Sequence, residues 1–142
     1  MDASRACPEP FRPAALLLAA LMAGCAPQAC LLPAQQSMME IDLYFGRAIA
    51  GHAPVSEAEW ARFAGQEVAA NFPDGFTVID ANGQWLNAAT HHAAREATKL
   101  VQIVTPGSPD LGRRVQAVID AYKARFKQDS VGVVSMPRCA AF

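Results

Sequence analysis

Long apolar runs are nearly absent from this chain of 142 residues. The most extended, Ala14 to Ala23, has ten residues, against the roughly 20 that cross a bilayer core, so no transmembrane helix is expected. An excess of one charge is also lacking. Lys and Arg number 12 against 13 Asp and Glu, for a net charge of −1, which leaves no basic footprint for nucleic acid. No Cys-x-x-C occurs, which argues against a zinc ribbon or a thioredoxin-type redox site. Neither a Gly-rich phosphate loop nor a Gly-x-Ser-x-Gly string is present, which argues against a P-loop and a serine elbow. Adjacent His91 and His92 point apart on a strand and His52 is distant, so no metal site and no cofactor is expected.

The most informative segment lies at the start. Arg5 and Arg12 precede the apolar run, which ends in Leu21-Met22-Ala23-Gly24-Cys25. A short apolar stretch, two small residues and then a cysteine resemble a bacterial lipoprotein signal. Met22 stands where that pattern usually has Leu, with Leu21 one step further back. An ordinary secretory signal with an incidental cysteine is the alternative. The lipoprotein reading makes residues 1–24 a signal peptide, 25–37 the lipidated Cys25 with a flexible tether, and 38–142 an α+β domain. Lipoproteins of this kind carry more than one acyl chain on the cysteine, and one chain alone binds a membrane only marginally. Ala26, a non-acidic residue after the cysteine, implies by the same resemblance the outer membrane, with the domain facing the periplasm.

Four cysteines then sort themselves. Cys7 leaves with the signal and Cys25 carries lipid. Cys30 and Cys139 remain, one at each end of the mature domain, and an oxidising compartment lets them pair. Two free thiols are the alternative.

Met39, Ile41, Leu43 and Phe45 alternate with Glu40, Asp42 and Tyr44, the period of a strand with one apolar face. Ser56-Glu57-Ala58-Glu59 is a capping box that opens a helix carrying Trp60, Phe63, Ala64 and Val68. Phe72-Pro73-Asp74-Gly75 ends it. Phe76 to Ala81 predicts a second strand, with Asn82-Gly83 as a two-residue hairpin turn and Gln84-Trp85-Leu86 returning. Asn87 to Ala94 reads as a loop, and Lys99 to Thr105 as a central strand whose start reaches back as far as Arg95. Ser108 is expected to cap the next helix with Pro109 at its first position. Leu111, Val115, Val118, Ile119, Tyr122 and Phe126 form its apolar face. Ser130 to Met136 is the last strand. The order β-α-β-β-α-β is the ferredoxin-like split βαβ pattern: an antiparallel sheet with two helices on one face. In that topology the start of the first strand lies beside the end of the last, which brings Cys30 near Cys139.

Leu43-Tyr44-Phe45-Gly46, Glu59-Trp60 with Phe63, Phe72-Pro73-Asp74-Gly75-Phe76-Thr77-Val78, Gly83-Gln84-Trp85, Glu96 with Lys99, and Tyr122 to Val131 together resemble a bacterial family catalogued as domain of unknown function 3574. The resemblance spans about residues 39–142 and implies a small secreted or lipid-anchored protein. It implies no activity, substrate or catalytic residue. Where the family pattern has a serine between Glu96 and Lys99, this chain has Ala97-Thr98.

With helices over one sheet face, Glu40, Asp42 and Tyr44 occupy the other, and Asp80 and Glu96 are candidates to join them. Trp85 follows a tight turn beside Gln84, where an indole either stacks on a ligand or plugs the end of the core. Tyr44, Asp80, Gln84, Trp85, Glu96 and Lys99 are the candidate ligand-binding residues. Beside a purely structural envelope protein whose surface matters only for packing, two functions stay open. One is a lipid-anchored binding or interaction module of the cell envelope, meeting a protein or a small molecule. The other is a small acid–base enzyme whose pocket closes at a homodimer interface on the open sheet face, using paired carboxylates.

Overall fold

The alternation in the first strand decides how the whole sheet faces. In the computed structural model, which describes residues 30–86 and 91–142, Ile41, Leu43 and Phe45 are fully buried while Tyr44 stays exposed. The signal segment, Cys25 and residues 26–29 of the tether lie outside the described residues. Strand β1 (Gln36–Gly46) begins two residues inside the segment read as tether. Its neighbours are β3 (Ala93–Thr105) and β4 (Gly132–Ala140), and β2 (Thr77–Leu86) pairs with the far side of β3. The order is β2-β3-β1-β4, antiparallel throughout, the ferredoxin-like α+β arrangement.

The first helix runs over Glu57–Phe63, a π-helical turn at Ala64–Val68 and a last turn at Ala69–Asn71. The capping box forms as expected: the Ser56 side chain accepts from the Glu59 N–H, and the Glu59 carboxylate accepts from the Ser56 N–H at 2.9 Å. Phe72-Pro73 ends it, and Gly75 takes a positive φ of 119° in the turn that follows. The second helix is Leu111–Phe126. Both helices press aromatic residues onto the β1 face. The Phe45 ring lies 4.7 Å from Tyr122, 5.2 Å from Trp60 and 5.7 Å from Phe63. Burying each such ring stabilises the fold by roughly 1.5–3 kcal/mol. A disulfide joins Cys30 to Cys139, and the Gln35 amide donates to the Cys139 carbonyl at 3.3 Å. No described helix is long and apolar enough to cross a membrane.

Four local expectations are corrected. Asn82-Gly83 does not turn the chain. Thr77–Leu86 is one strand of ten residues, with Asn82 opposite Ala97 and Gly83 opposite Glu96. A turn there would have forfeited that ladder, and local turn preference loses to continuous pairing. The reversal falls after Leu86, and β3 starts at Ala93, earlier than Arg95. Trp85 is not a plug: it is 46% exposed, because its place in the ladder points it away from the helices. Ser108 is not the helix cap. Its hydroxyl donates to the Asp110 carboxylate at 2.6 Å, and Asp110 holds the N-cap position without a side-chain capping bond.

Candidate functional site

The pairing register sorts every candidate by face. Phe45 lies opposite Lys99, and Lys99 opposite Asp80, so both charged residues share the helix face with a core phenylalanine. Asp80 therefore does not join Glu40, Asp42 and Tyr44. The Lys99 ammonium, 5% exposed, donates to Glu57 at 2.8 Å and also to Asp80. These carboxylates, Asp80 more than Glu57, hold the Lys99 ammonium above its ordinary pKa. Lys99 and then Arg47 hold Glu57 below its own. Arg47 reaches Glu57 at 2.5 Å and donates to the Val55 carbonyl. The group ties the start of the first helix to β2 and β3. Its cation is spent on structure.

Glu96 takes the opposite face, three residues and an odd step from Lys99. Across the open face the polar residues fall into two groups. At one end the Gln102 amide donates to Glu40 at 2.7 Å and to Asp42 at 3.4 Å, and Arg138 donates to Glu40 at 2.5 Å. These carboxylates are already engaged by donors. At the other end lies a cleft of about 640 Å³, lined by Tyr44, Gly46, Gly83, Gln84, Trp85, Glu96 and Thr98, with residues 127–130 along its rim.

Glycine backbone makes the floor of this cleft. A Cβ at Gly46 would stand 2.4 Å from Glu96 Oε1, and one at Gly83 would stand 3.1 Å from Thr98 Oγ1. Any side chain at position 46 would expel the carboxylate. With glycine there, Glu96 Oε2 accepts from the Ala48 N–H at 3.0 Å, while Oε1 has no hydrogen-bond partner among the described residues. The floor is fixed from below, where the Tyr122 hydroxyl donates to the Gly46 carbonyl at 2.9 Å. Gln128 fixes the adjacent loop by donating to the Ala48 carbonyl at 2.7 Å. Two flat surfaces stand at the cleft, Tyr44 and Trp85, 40% and 46% exposed.

Of the six candidates, the structure brings Tyr44, Trp85 and Glu96 to one cleft on the open face and sends Asp80 and Lys99 to the other face, with Gln84 at the cleft's border but in the register of the helix face. Gln84 borders the cleft with its amide oxygen taken by Arg95 at 2.7 Å. Sequence reasoning missed Gly46, Gly83 and Thr98. In the sequence Gly46 merely follows the alternating run of the first strand, and Gly83 suggests a turn. Among the described residues no group of three or more His, Cys, Asp or Glu side chains is placed to hold a metal ion. Chemically, the cleft offers one carboxylate oxygen as an acceptor beside flat aromatic surfaces. A larger cleft of about 710 Å³, on the helix side, includes none of the six candidates.

Comparison with known proteins bears on the fold. The family model described as Protein of unknown function (DUF3574) matches residues 40–142. No curated protein sequence matches the chain. Among solved structures, a phage SAM lyase in complex with S-methyl-5'-thioadenosine is similar with a TM-score of 0.56 and 12% identity, covering 82% of this chain and 97% of the lyase. Its apo state is similar at 0.54 and 13% identity, covering 75% and 90%. CutA from Synechococcus elongatus complexed with Bis-Tris gives 0.46 and 10%, covering 73% and 83%. At these identities the likeness to the lyase shows a shared fold.

Proposed function

The chain belongs to the DUF3574 family, and we propose that it is a lipid-anchored binding protein of the cell envelope, holding a small ligand in the Glu96 cleft. The carrying observation is that two glycines leave room for a carboxylate whose Oε1 is unclaimed beside exposed Trp85. The ligand class that fits presents an amine or hydroxyl to Glu96 and a flat or apolar face to Trp85 or Tyr44. Binding is favoured over turnover because Asp80, one of the carboxylates an acid–base pocket would use beside Glu96, pairs with Lys99 on the helix face, while Glu40 and Asp42 accept from the Gln102 amide at the other end of the sheet, with Arg138 on Glu40. The Cys30–Cys139 bond supports residence in an oxidising compartment, and the Leu21 to Cys25 pattern supports lipid on Cys25.

The test is native mass spectrometry of the full chain, expressed in a bacterium with an outer membrane and released in detergent. The expected spectrum carries diacyl mass on the protein and a retained small molecule, which is lost in both Glu96→Gln and Trp85→Ala. A fully extractable protein without lipid overturns the anchor. Ligand-free wild type, or retention unaltered by both substitutions, overturns the cleft.

A further inference from the structure

We propose a second ligand site, on the helix side, for a phosphate-type oxyanion. It shares one lining residue, Lys127, with the rim of the Glu96 cleft. The cleft of about 710 Å³ is lined by Arg62 of the first helix, by Arg125 and Lys127 at the end of the second, and by His52 of the loop after β1. Ile49 and Phe126 give it an apolar base.

The charge account is what points to an anion. Three permanent cations face one acidic lining residue, Glu59. That carboxylate is committed to the capping box, where it accepts from the Ser56 N–H at 2.9 Å and the Ser56 hydroxyl at 2.6 Å. Arg125 meets Glu67 at 3.2 Å, and it also lies 5.7 Å over the Phe63 ring, which orients its guanidinium. Neither Arg62 nor Lys127 forms a salt bridge among the described residues. On a chain whose net charge is −1, three cations thus converge on one concavity: Lys127 and Arg62 outside any salt bridge among the described residues, Arg62 within electrostatic reach of Glu59, and Arg125 partly paired. A concave wall of low dielectric focuses that field.

Lys127 carries a second sign. It caps the second helix in the left-handed conformation, φ 51°, a place that glycine normally takes. Lysine there accepts backbone strain at a position that lines both clefts. At this helix end the Lys127 and Gln128 N–H groups both donate to the Lys123 carbonyl. Two guanidinium forks and an ammonium suit the several equivalent oxygens of a phosphate better than a single carboxylate.

The same phosphate chemistry belongs to a free phosphoester and to an anionic lipid headgroup. Titration of the full chain in detergent, followed by amide chemical shifts, separates them. Inorganic pyrophosphate is the probe for a free anion, and water-soluble short-chain phosphatidylglycerol the probe for a headgroup. The expected result is saturable shifts at residues 52, 62 and 125–127 with one probe or both, weakening as salt rises. The double variant Arg62→Gln with Lys127→Gln should weaken that binding at least about tenfold. Arg113→Gln, on an exposed arginine paired with Asp110, should leave it unchanged. Saturation by pyrophosphate assigns a free anion, and saturation by phosphatidylglycerol alone assigns a headgroup. Absence of saturable shifts with both probes, or affinity unaltered in a double variant with wild-type melting, overturns the site.

Discussion

Replacing Gly46 by alanine should disarm the Glu96 cleft and leave the fold intact. Gly46 has no positive φ, so alanine meets no backbone strain at that position. The new Cβ would lie 2.4 Å from Glu96 Oε1, 2.7 Å from its carboxyl carbon and 2.8 Å from Oε2. All three atoms belong to the free end of a flexible side chain, so the carboxylate swings out and the strand stays. The loss is the bond from the Ala48 N–H, a hydrogen bond to a charged group at an exposed site, worth about 1–2 kcal/mol. Against it stands a gain of about 0.4–1 kcal/mol, because alanine restricts the unfolded chain more than glycine. The net change in unfolding free energy should fall within about 1 kcal/mol of wild type by urea denaturation. Amide exchange at Ala48 should nevertheless accelerate about tenfold, the equivalent of roughly 1.4 kcal/mol of lost protection. Glu96→Gln, which keeps the shape and weakens the acceptor, should give a smaller acceleration. A Gly46→Ala protein destabilised by several kcal/mol would refute this reasoning, since the backbone and not the carboxylate would then be what glycine accommodates. Unchanged Ala48 protection would refute it equally.

Tyr122→Phe removes the hydroxyl that bonds the Gly46 carbonyl at 2.9 Å and should cost about 1–3 kcal/mol in chemical denaturation, the penalty for a buried acceptor left unpaired. Burial also pushes the Tyr122 phenol well above its ordinary value of 10.0. Its contribution is complete below that value and is lost as pH rises above it, so phenolate absorbance from this residue should appear only together with unfolding. Lys99→Met should narrow the pH range of stability in a predictable sense. The ammonium's raised pKa contributes stability that is present below 10.5 and lost as pH climbs through the folded value. Glu57, lowered from 4.5, contributes stability that is present above that pH and lost as acid protonates it. The wild-type advantage in thermal melting should therefore be greatest between these limits and shrink on both sides; an advantage independent of pH would show that only the packing of the lysine stem matters. Reduction of Cys30–Cys139, which spans 109 residues, should lower stability by at most about 4–5 kcal/mol, and a melting temperature indifferent to reductant would show that the reduced unfolded chain is already constrained.

The fold could be read because its periods are local. Met39 to Phe45 alternates without interruption, the Ser56 box marks a helix start, and Leu111 to Phe126 keeps one apolar stripe, so each element announces itself within a dozen residues. The cysteines could be placed once the order of strands was known, since that order puts Gln36 beside Ala140. The site depended on a longer chain of inference. Which face Asp80 takes follows from its pairing with Lys99, whose face follows in turn from Phe45. A supposed turn at Asn82-Gly83 cut that chain at β2. The opposite faces of Glu96 and Lys99 need only their spacing of three on one strand.

The cleft itself is a different problem, because what builds it is missing atoms. A motif is recognised by side chains that are present, whereas Glu96 occupies its position because residue 46 has no Cβ and because Gly83 crowds neither it nor Thr98. Glu96 and its donor Ala48 stand 48 positions apart, joined only through the β1–β3 ladder. In the sequence Gly46 ends a strand and Gly83 follows an asparagine, and both readings are ordinary uses of glycine. Only the register shows that both glycines project toward the same carboxylate. Close approach, rather than a turn, is then the reason for glycine at these positions, and an alanine at either one tests the cleft without replacing a single polar side chain.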